Sequence, residues 1–260
     1  MTQETATTSS TSISSIEETD EIKKYCYFWW KTGNIHLKAG WEEATLPYVL
    51  KTDVTLDEYI KRTDMHNVHA LWEWEKGTVR VIELPSSFHE DCIATIIAKL
   101  GAIFDVVSAT SVGIKFSGAT TTKTRGGGKE PDGSLRPVGK PQVSGGGSDG
   151  RNRPWPNLVI EVAYSETEAH LKDKIENYWL LPNRVHDAIA IKLNYTPDYT
   201  VPTEMTVSLA LLQTAVGALN PVMYEFGTIN RQGNPINILP GQCVINIQLG
   251  CIYHGMPNNF

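Results

Sequence analysis

Cysteine, long apolar runs and surplus positive charge are all scarce in this sequence. Four cysteines (Cys26, Cys92, Cys243 and Cys251) are scattered over 260 residues. None belongs to a C-x-x-C pair, and no histidine cluster completes a zinc motif, so a disulfide scaffold and a finger-type zinc module are both disfavoured. Few, separated cysteines suit a reducing compartment. No apolar run approaches the roughly 20 residues a membrane span needs. The first residues lack a basic patch followed by an apolar core, so no secretory signal is expected. The expected location is intracellular, in cytoplasm or nucleus, without a membrane partner. A net charge of −6 argues against a protein that coats nucleic acid non-specifically, while leaving room for a local basic groove.

What is present divides the chain into segments. Ten of the first 15 residues are Ser or Thr and EETDE follows at 17–21, so residues 1–22 are expected to be disordered. Residues 23–54 hold YCYFWW, Trp41 and Tyr48, an aromatic-rich extension expected to pack on the core. Residues 55–255 carry the main domain. Here TLDEYIKR (55–62) reads as a helix and TVRVIEL (78–84) as a strand ended by Pro85. A helix is predicted from Ser86 or Ser87, with Ile93, Ile96, Ile97 and Leu100 at helical spacing and Gly101 as its stop. SVGIKF (111–116), NLVIEVAY (157–164), AIAIKL (188–193) and MTVSLALLQ (205–213) read as strands. NILPGQCVINIQLG (237–250) supplies a late one. SETEAHLKDKIENYWLL reads as a helix whose Ser165 and Glu168 form a capping box. The order of elements predicts an α/β or α+β core, a mixed central β-sheet flanked by helices.

Residues 117–157 stand apart, with ten glycines and few large apolar residues, and read as a long, flexible, irregular loop. From Lys115 to Arg153 there are eight basic and three acidic residues, in a chain that is acidic overall. Lys123, Arg125, Lys129, Arg136, Lys140, Arg151 and Arg153 are the candidates for phosphate contact. A solvated loop that is basic by chance explains the composition nearly as well. GGGSDG (145–150) is most simply a flexible linker.

One residue breaks the apolar pattern of PNLVIEVAYS. Leu158, Ile160, Val162 and Tyr164 share one strand face, and Val159, Glu161 and Ala163 the other, so both faces are apolar except at Glu161. A lone carboxylate there needs a cationic partner or a metal, or a place at the strand's exposed end. Asp132, in KEPDGSLRP, is a second carboxylate, although Pro131 and Gly133 also make it an ordinary turn residue. On the following helix, Leu171, Ile175 and Tyr178 define the buried arc at 100° per residue, and Lys174 falls on its edge. Lys174 is thus the basic residue that leans toward the sheet, or a snorkelling side chain at the core boundary. Two carboxylates bind a hard divalent cation such as Mg²⁺, and a lysine beside them can orient a water or steady developing charge. That chemistry is phosphodiester hydrolysis.

EPD, then PNLVIEVAYSE, then a helix with K-x-x-x-Y at Lys174 and Tyr178, resembles the PD-(D/E)XK nuclease superfamily, and more narrowly the restriction-endonuclease family called Uma. TLDEYIKR resembles that family's opening helix, WEWEKGTVRVIELPSSFHEDCIATI its strand followed by a helix carrying His, and LPGQCVINIQLG its closing strand. The resemblance runs from about Thr55 to about Tyr253, through short motifs whose shared order is the signal. It implies a restriction-endonuclease-like fold, Asp132 and Glu161 as ligands of Mg²⁺ or Mn²⁺, Lys174 as the assisting lysine, and Glu73 and His89 as auxiliary residues. The superfamily's lysine two residues after Glu161 is replaced by Ala163, and the resembled family supplies it from the next helix, where Lys174 stands. His170 occupies the position one turn before that lysine. The implied activity is metal-dependent cleavage of nucleic acid, most simply DNA, and the superfamily admits a homodimer. The alternative is a nuclease-fold module that binds nucleic acid or a protein without turnover.

Overall fold

The strand patterns assemble into two sheets in the computed structural model, which describes residues 20–36, 39–41, 46–108, 112–118, 120–124, 127–194, 204–213, 218–227, 234, 239, 244 and 246–257. The Ser/Thr-rich start lies outside them. The first element is α1 (Asp20–Thr32). Next come β1 (Tyr48–Lys51), α2 (Leu56–His66), β2 (Trp72–Glu75), β3 (Thr78–Val81) and α3 (Ser87–Ser108). Then follow β4 (Ile114–Ser117), β5 (Thr122–Lys123), β6 (Gly127–Lys129), β7 (Gly133–Pro137), β8 (Leu158–Ala163) and α4 (Glu168–Lys174). The chain continues through a π-helical turn (Ile175–Trp179) into β9 (Asp187–Asn194), β10 (Glu204–Gln213), β11 (Ala218–Gly227) and α5 (Leu249–Ile252).

The expected mixed sheet has six strands in the order β11-β10-β9-β8-β7-β4. Its parallel pair is β8 with β9, and the connection between them is the α4 helix with its π turn, as a parallel crossover requires. All six residues of β8 are buried, because each face is covered. Leu158, Ile160 and Val162 pack with Ile93 and Phe104 of α3. Val159 and Ala163 pack with Leu171, Ile175, Tyr178 and Trp179. Glu161 therefore faces the crossover helix.

A second, five-stranded antiparallel sheet, β1-β3-β2-β6-β5, was not anticipated from the sequence. Its core gathers Trp29 and Trp30 of α1, Tyr59 of α2, Trp72, Val79 and Val81. Trp72 meets Trp29 edge-on at 6.1 Å and Trp30 at 5.6 Å. The aromatic extension thus builds a core of its own with this sheet. Thr55 caps α2 by accepting from Glu58 N, and Asn67 ends it in the left-handed conformation, at φ 51°.

Several expectations need correction. Residues 117–157, read as an irregular loop, contain β5, β6 and β7. The glycines are there for close approach: a Cβ on Gly128 would stand 2.6 Å from Leu56 Cδ1, and one on Gly127 3.1 Å from the Tyr178 ring. GGGSDG is a tight turn in which Asp149 Oδ1 accepts from Arg151 N and Arg153 N. Gly101 does not stop α3, which runs on to bury Phe104, a gain that outweighs the roughly 1 kcal/mol a helical glycine costs. Ser165 is not the cap of α4, because its side chain is taken by Glu83; Thr167 caps instead, accepting from His170 N at 3.2 Å. Most of 237–250 lies outside the described residues, and its end opens helix α5 rather than a strand. No helix among the described residues is long and apolar enough to cross a membrane.

Trp72 is fully buried between α1 and the second sheet. Trp72→Ala is expected to lower the unfolding free energy by about 3–5 kcal/mol with an unchanged denaturant slope, read from urea unfolding curves.

Candidate active site

The buried carboxylate of β8 is compensated from the crossover helix. Lys174 Nζ stands 2.8 Å from Glu161 Oε2 and donates to Glu166 Oε2 at 3.0 Å. The π turn delivers Trp179, whose indole N–H donates to Glu161 Oε1 at 2.5 Å. Widened turns of this kind recur at functional sites. Asp132, immediately before β7, reaches the same strand: its Oδ2 accepts from Val162 N at 2.7 Å, and its Oδ1 lies 3.4 Å from His89 Nε2. Asp132, Glu161 and Lys174 thus meet on one segment of β8.

The second sheet supplies the rest. Glu73 Oε2 on β2 accepts from Lys129 Nζ of β6 at 2.5 Å and lies 3.5 Å from His170 Nε2. His170 Nδ1 is 2.5 Å from Glu166 Oε1, so a continuous polar chain runs Lys129, Glu73, His170, Glu166, Lys174, Glu161. Glu83, two residues past β3, holds the end of β8. Its carboxylate accepts from Tyr164 N at 2.9 Å, Ser165 N at 2.7 Å and Glu166 N at 3.1 Å, and from the Ser165 hydroxyl. Glu130 accepts from Ala70 N at 3.0 Å and from the Thr121 hydroxyl, and lies 3.0 Å from His69 Nδ1. A cleft of about 670 Å³, lined by His69, Ser86, His89, Glu90 and Asp132 among others, opens beside this cluster.

Burial sets the electrostatics, and the neighbours decide the sign. Burial pushes the Glu161 carboxyl up, Asp132 and Glu166 add to that push, and against the pull of Lys174 it settles at about 8. Burial would also raise Glu73, but His170, Lys129 and Lys174 bring it down to about 2. Burial works against the charged form of Lys174, yet Glu161, Glu166, Asp132 and Glu73 together raise it well above the ordinary lysine value. His89 and His170, disfavoured as cations by burial, are raised to about 9, His89 chiefly by Asp132 and His170 by Glu166 and Glu73.

Asp132 and Glu161 are the two carboxylates at β8 that a divalent cation could draw on. Glu161 Oε2 is buried, and the group that faces it is the Lys174 ammonium at 2.8 Å. No third His, Cys, Asp or Glu donor atom gathers with these two among the described residues. Two carboxylates with the remaining positions left to water and phosphate oxygens is the donor set Mg²⁺ favours.

Of the basic candidates only Lys129 joins this cluster among the described residues. Lys129 is buried and ion-paired with Glu73, so it is withdrawn from phosphate contact. Lys140 donates to Trp155 O at 3.0 Å and Asn157 Oδ1 at 2.6 Å. With Arg136, Arg151 and Arg153 it lines a separate cleft of about 420 Å³ toward the far end of β7. Lys123 lines another cleft with Arg184, and Arg125 lies outside the described residues. His89, which could pass for a surface residue near a helix start, is buried against Asp132. Glu83, Glu130, Glu166 and Trp179 escaped the sequence reading. For Glu83, the signal was a carboxylate at the end of an alternating strand.

Both histidines titrate higher folded than the ordinary 6.5. The stability they lend is therefore complete below pH 6.5 and lost as pH rises through about 9. The wild-type protein is expected to lose a few kcal/mol over that window, and His170→Asn to flatten the slope, in urea titrations at stepped pH.

Comparison with known proteins places the chain in a family. The family model Uma2, described as "Putative restriction endonuclease", matches residues 56–189, just over half of the chain. The solved structure of a putative nuclease belonging to DUF820 from Anabaena variabilis is 14% identical. That similarity covers 66% of this chain and 84% of that one, with a TM-score of 0.42. No curated protein matches.

Proposed function

The chain belongs to the Uma2 family, and from that premise we propose that it is a metal-dependent endonuclease acting on DNA. One observation carries the reading: Glu161 is fully buried on the central strand beside Asp132, compensated by Lys174 rather than removed from the core. A carboxylate kept there at such desolvation cost has a use other than stability.

In this reading Asp132 and Glu161 hold Mg²⁺ or Mn²⁺. The bound ion supplies Lewis-acid polarisation of a phosphoryl oxygen and a more acidic water. Val162 N–H and the Trp179 indole fix the two carboxylates in place. Lys174 stays cationic between Glu161 and Glu166, orients the attacking water and steadies the charge that develops on phosphorus-bound oxygen. Water adds to phosphorus and gives up a proton to solvent, the phosphorus–sugar oxygen bond breaks, and the departing oxygen takes up a proton. His89, at the edge of the cleft beside Asp132, is the protonated group placed to give one. Glu73 acts through Lys129 and His170 to hold the crossover helix against the second sheet. Phosphate contacts outside the cleft fall to Lys123, Arg136, Arg151 and Arg153.

A second reading, a binding module without turnover, draws support from the double engagement of Lys174 with Glu161 and Glu166. Supercoiled plasmid with Mg²⁺ decides between them. The wild type is expected to nick and linearise it, and Asp132→Asn or Glu161→Gln to abolish cleavage while keeping the circular dichroism spectrum and the DNA shift. Cleavage that survives in both variants removes the assigned site. A wild type that shifts DNA without cutting it establishes the binding module.

A further inference from the structure

We propose that His186, Asp187 and Cys251 form a zinc site at the opposite end of the central sheet from Glu161. His186 and Asp187 stand at the entry to β9, and Cys251 on α5 comes back to meet them. One donor atom from each lies within 4.8 Å of the other two. The donors of a four-coordinate zinc are roughly 3.3–3.8 Å apart, so a small closure completes the contact.

The independent sign of a ligand is Asp187. It is fully buried, its Oδ1 lies 2.9 Å from His186 Nδ1, and its Oδ2 is buried with no hydrogen-bond partner. Leaving a buried carboxylate oxygen unmatched is costly, and a cation is what it lacks. The Cys251 thiol faces the same carboxylate and, while protonated, is a weak hydrogen-bond donor to it; zinc takes the place of that proton. The imidazole of His254 lies 4.5 Å from that of His186, open to solvent and outside the three-donor group, so the fourth position falls to water. The charged neighbour is Lys140, held on Asn157 Oδ1 at 2.6 Å.

The backbone is already arranged for this. Asn157 Nδ2 donates to Cys251 O at 3.2 Å and to His254 O at 2.8 Å, and Asn157 O accepts from Asp187 N at 2.9 Å. One buried asparagine thus holds both ligand-bearing segments in register. Nitrogen, oxygen and sulfur donors together select zinc rather than Mg²⁺, which prefers oxygen alone. Asp187 pairs with Leu158, whereas Glu161 pairs with Ala190, three residues along parallel strands and about 10 Å away. The site is therefore distinct from the candidate active site, and its ion would staple the C-terminal segment to the sheet.

The test uses the full chain, stripped of metal by chelation under reducing conditions and titrated with Zn²⁺ and then with Co²⁺. With Mg²⁺ in large excess, one equivalent of tightly held zinc is expected to bind, and to bind equally to the Asp132→Asn/Glu161→Gln double variant. Co²⁺ is expected to give a near-ultraviolet thiolate charge-transfer band in the wild type. Cys251→Ser should lose that band and at least tenfold in zinc affinity, and zinc should raise the melting temperature of the wild type by several degrees but not that of the variant. Undiminished zinc binding in Cys251→Ser overturns the site, as does a wild type that takes up no zinc or shows no thiolate band. The wild-type cobalt spectrum stands whether or not any variant folds.

Discussion

The ammonium of Lys174, set between Glu161 and Glu166 in the dry centre of the molecule, is the contact on which the rest of the arrangement depends. A carboxylate on a strand covered from both sides cannot stand alone, and an ion pair there barely recovers its own desolvation. Stability by itself would favour an apolar residue at position 161. The fold instead surrounds that position with a lysine from one helical turn, an indole from the next and a second carboxylate from the neighbouring strand. Each of these must keep its place for the others to be tolerated, so the site is rigid for electrostatic reasons as much as for packing.

Two sheets share the task. The central sheet carries Asp132 and Glu161, and the smaller one sends Glu73, Lys129 and, just past β3, Glu83 into the same neighbourhood. Glu83 is bound to three consecutive backbone N–H groups at the end of β8, where the chain turns into α4. That fixes the entry angle of the helix carrying Lys174, and so couples the small sheet to the geometry around Glu161.

Local periodicity made much of this legible. The two-residue alternation of β8 put Glu161 on a covered face, and the helical phase of Leu171, Ile175 and Tyr178 put Lys174 on the edge that the structure buries. What stayed hidden depends on partners distant in sequence. Glu83 meets Ser165, Glu130 meets Ala70, and Lys129 meets Glu73 across separations no local pattern encodes. The glycine-rich stretch misled for a related reason. Glycine reads as freedom in one dimension, whereas at Gly127 and Gly128 it is space for Tyr178 and Leu56. The three donors at His186, Asp187 and Cys251 were invisible as a zinc motif because the third returns from another element.

The aromatic helix at the start of the described chain bears on where a minimal unit can be cut. The span shared with the Uma2 family begins at residue 56, after α1 and β1, and ends at residue 189, inside β9. Excised at those limits, the fragment would show Trp72 bare where Trp29 and Trp30 had covered it, and would leave β9 truncated beside β8. The segment matched by the family model and the segment that the tryptophan core draws on are thus different lengths. The surplus at the front is a lid of tryptophan over the strand that carries Glu73 beside Trp72.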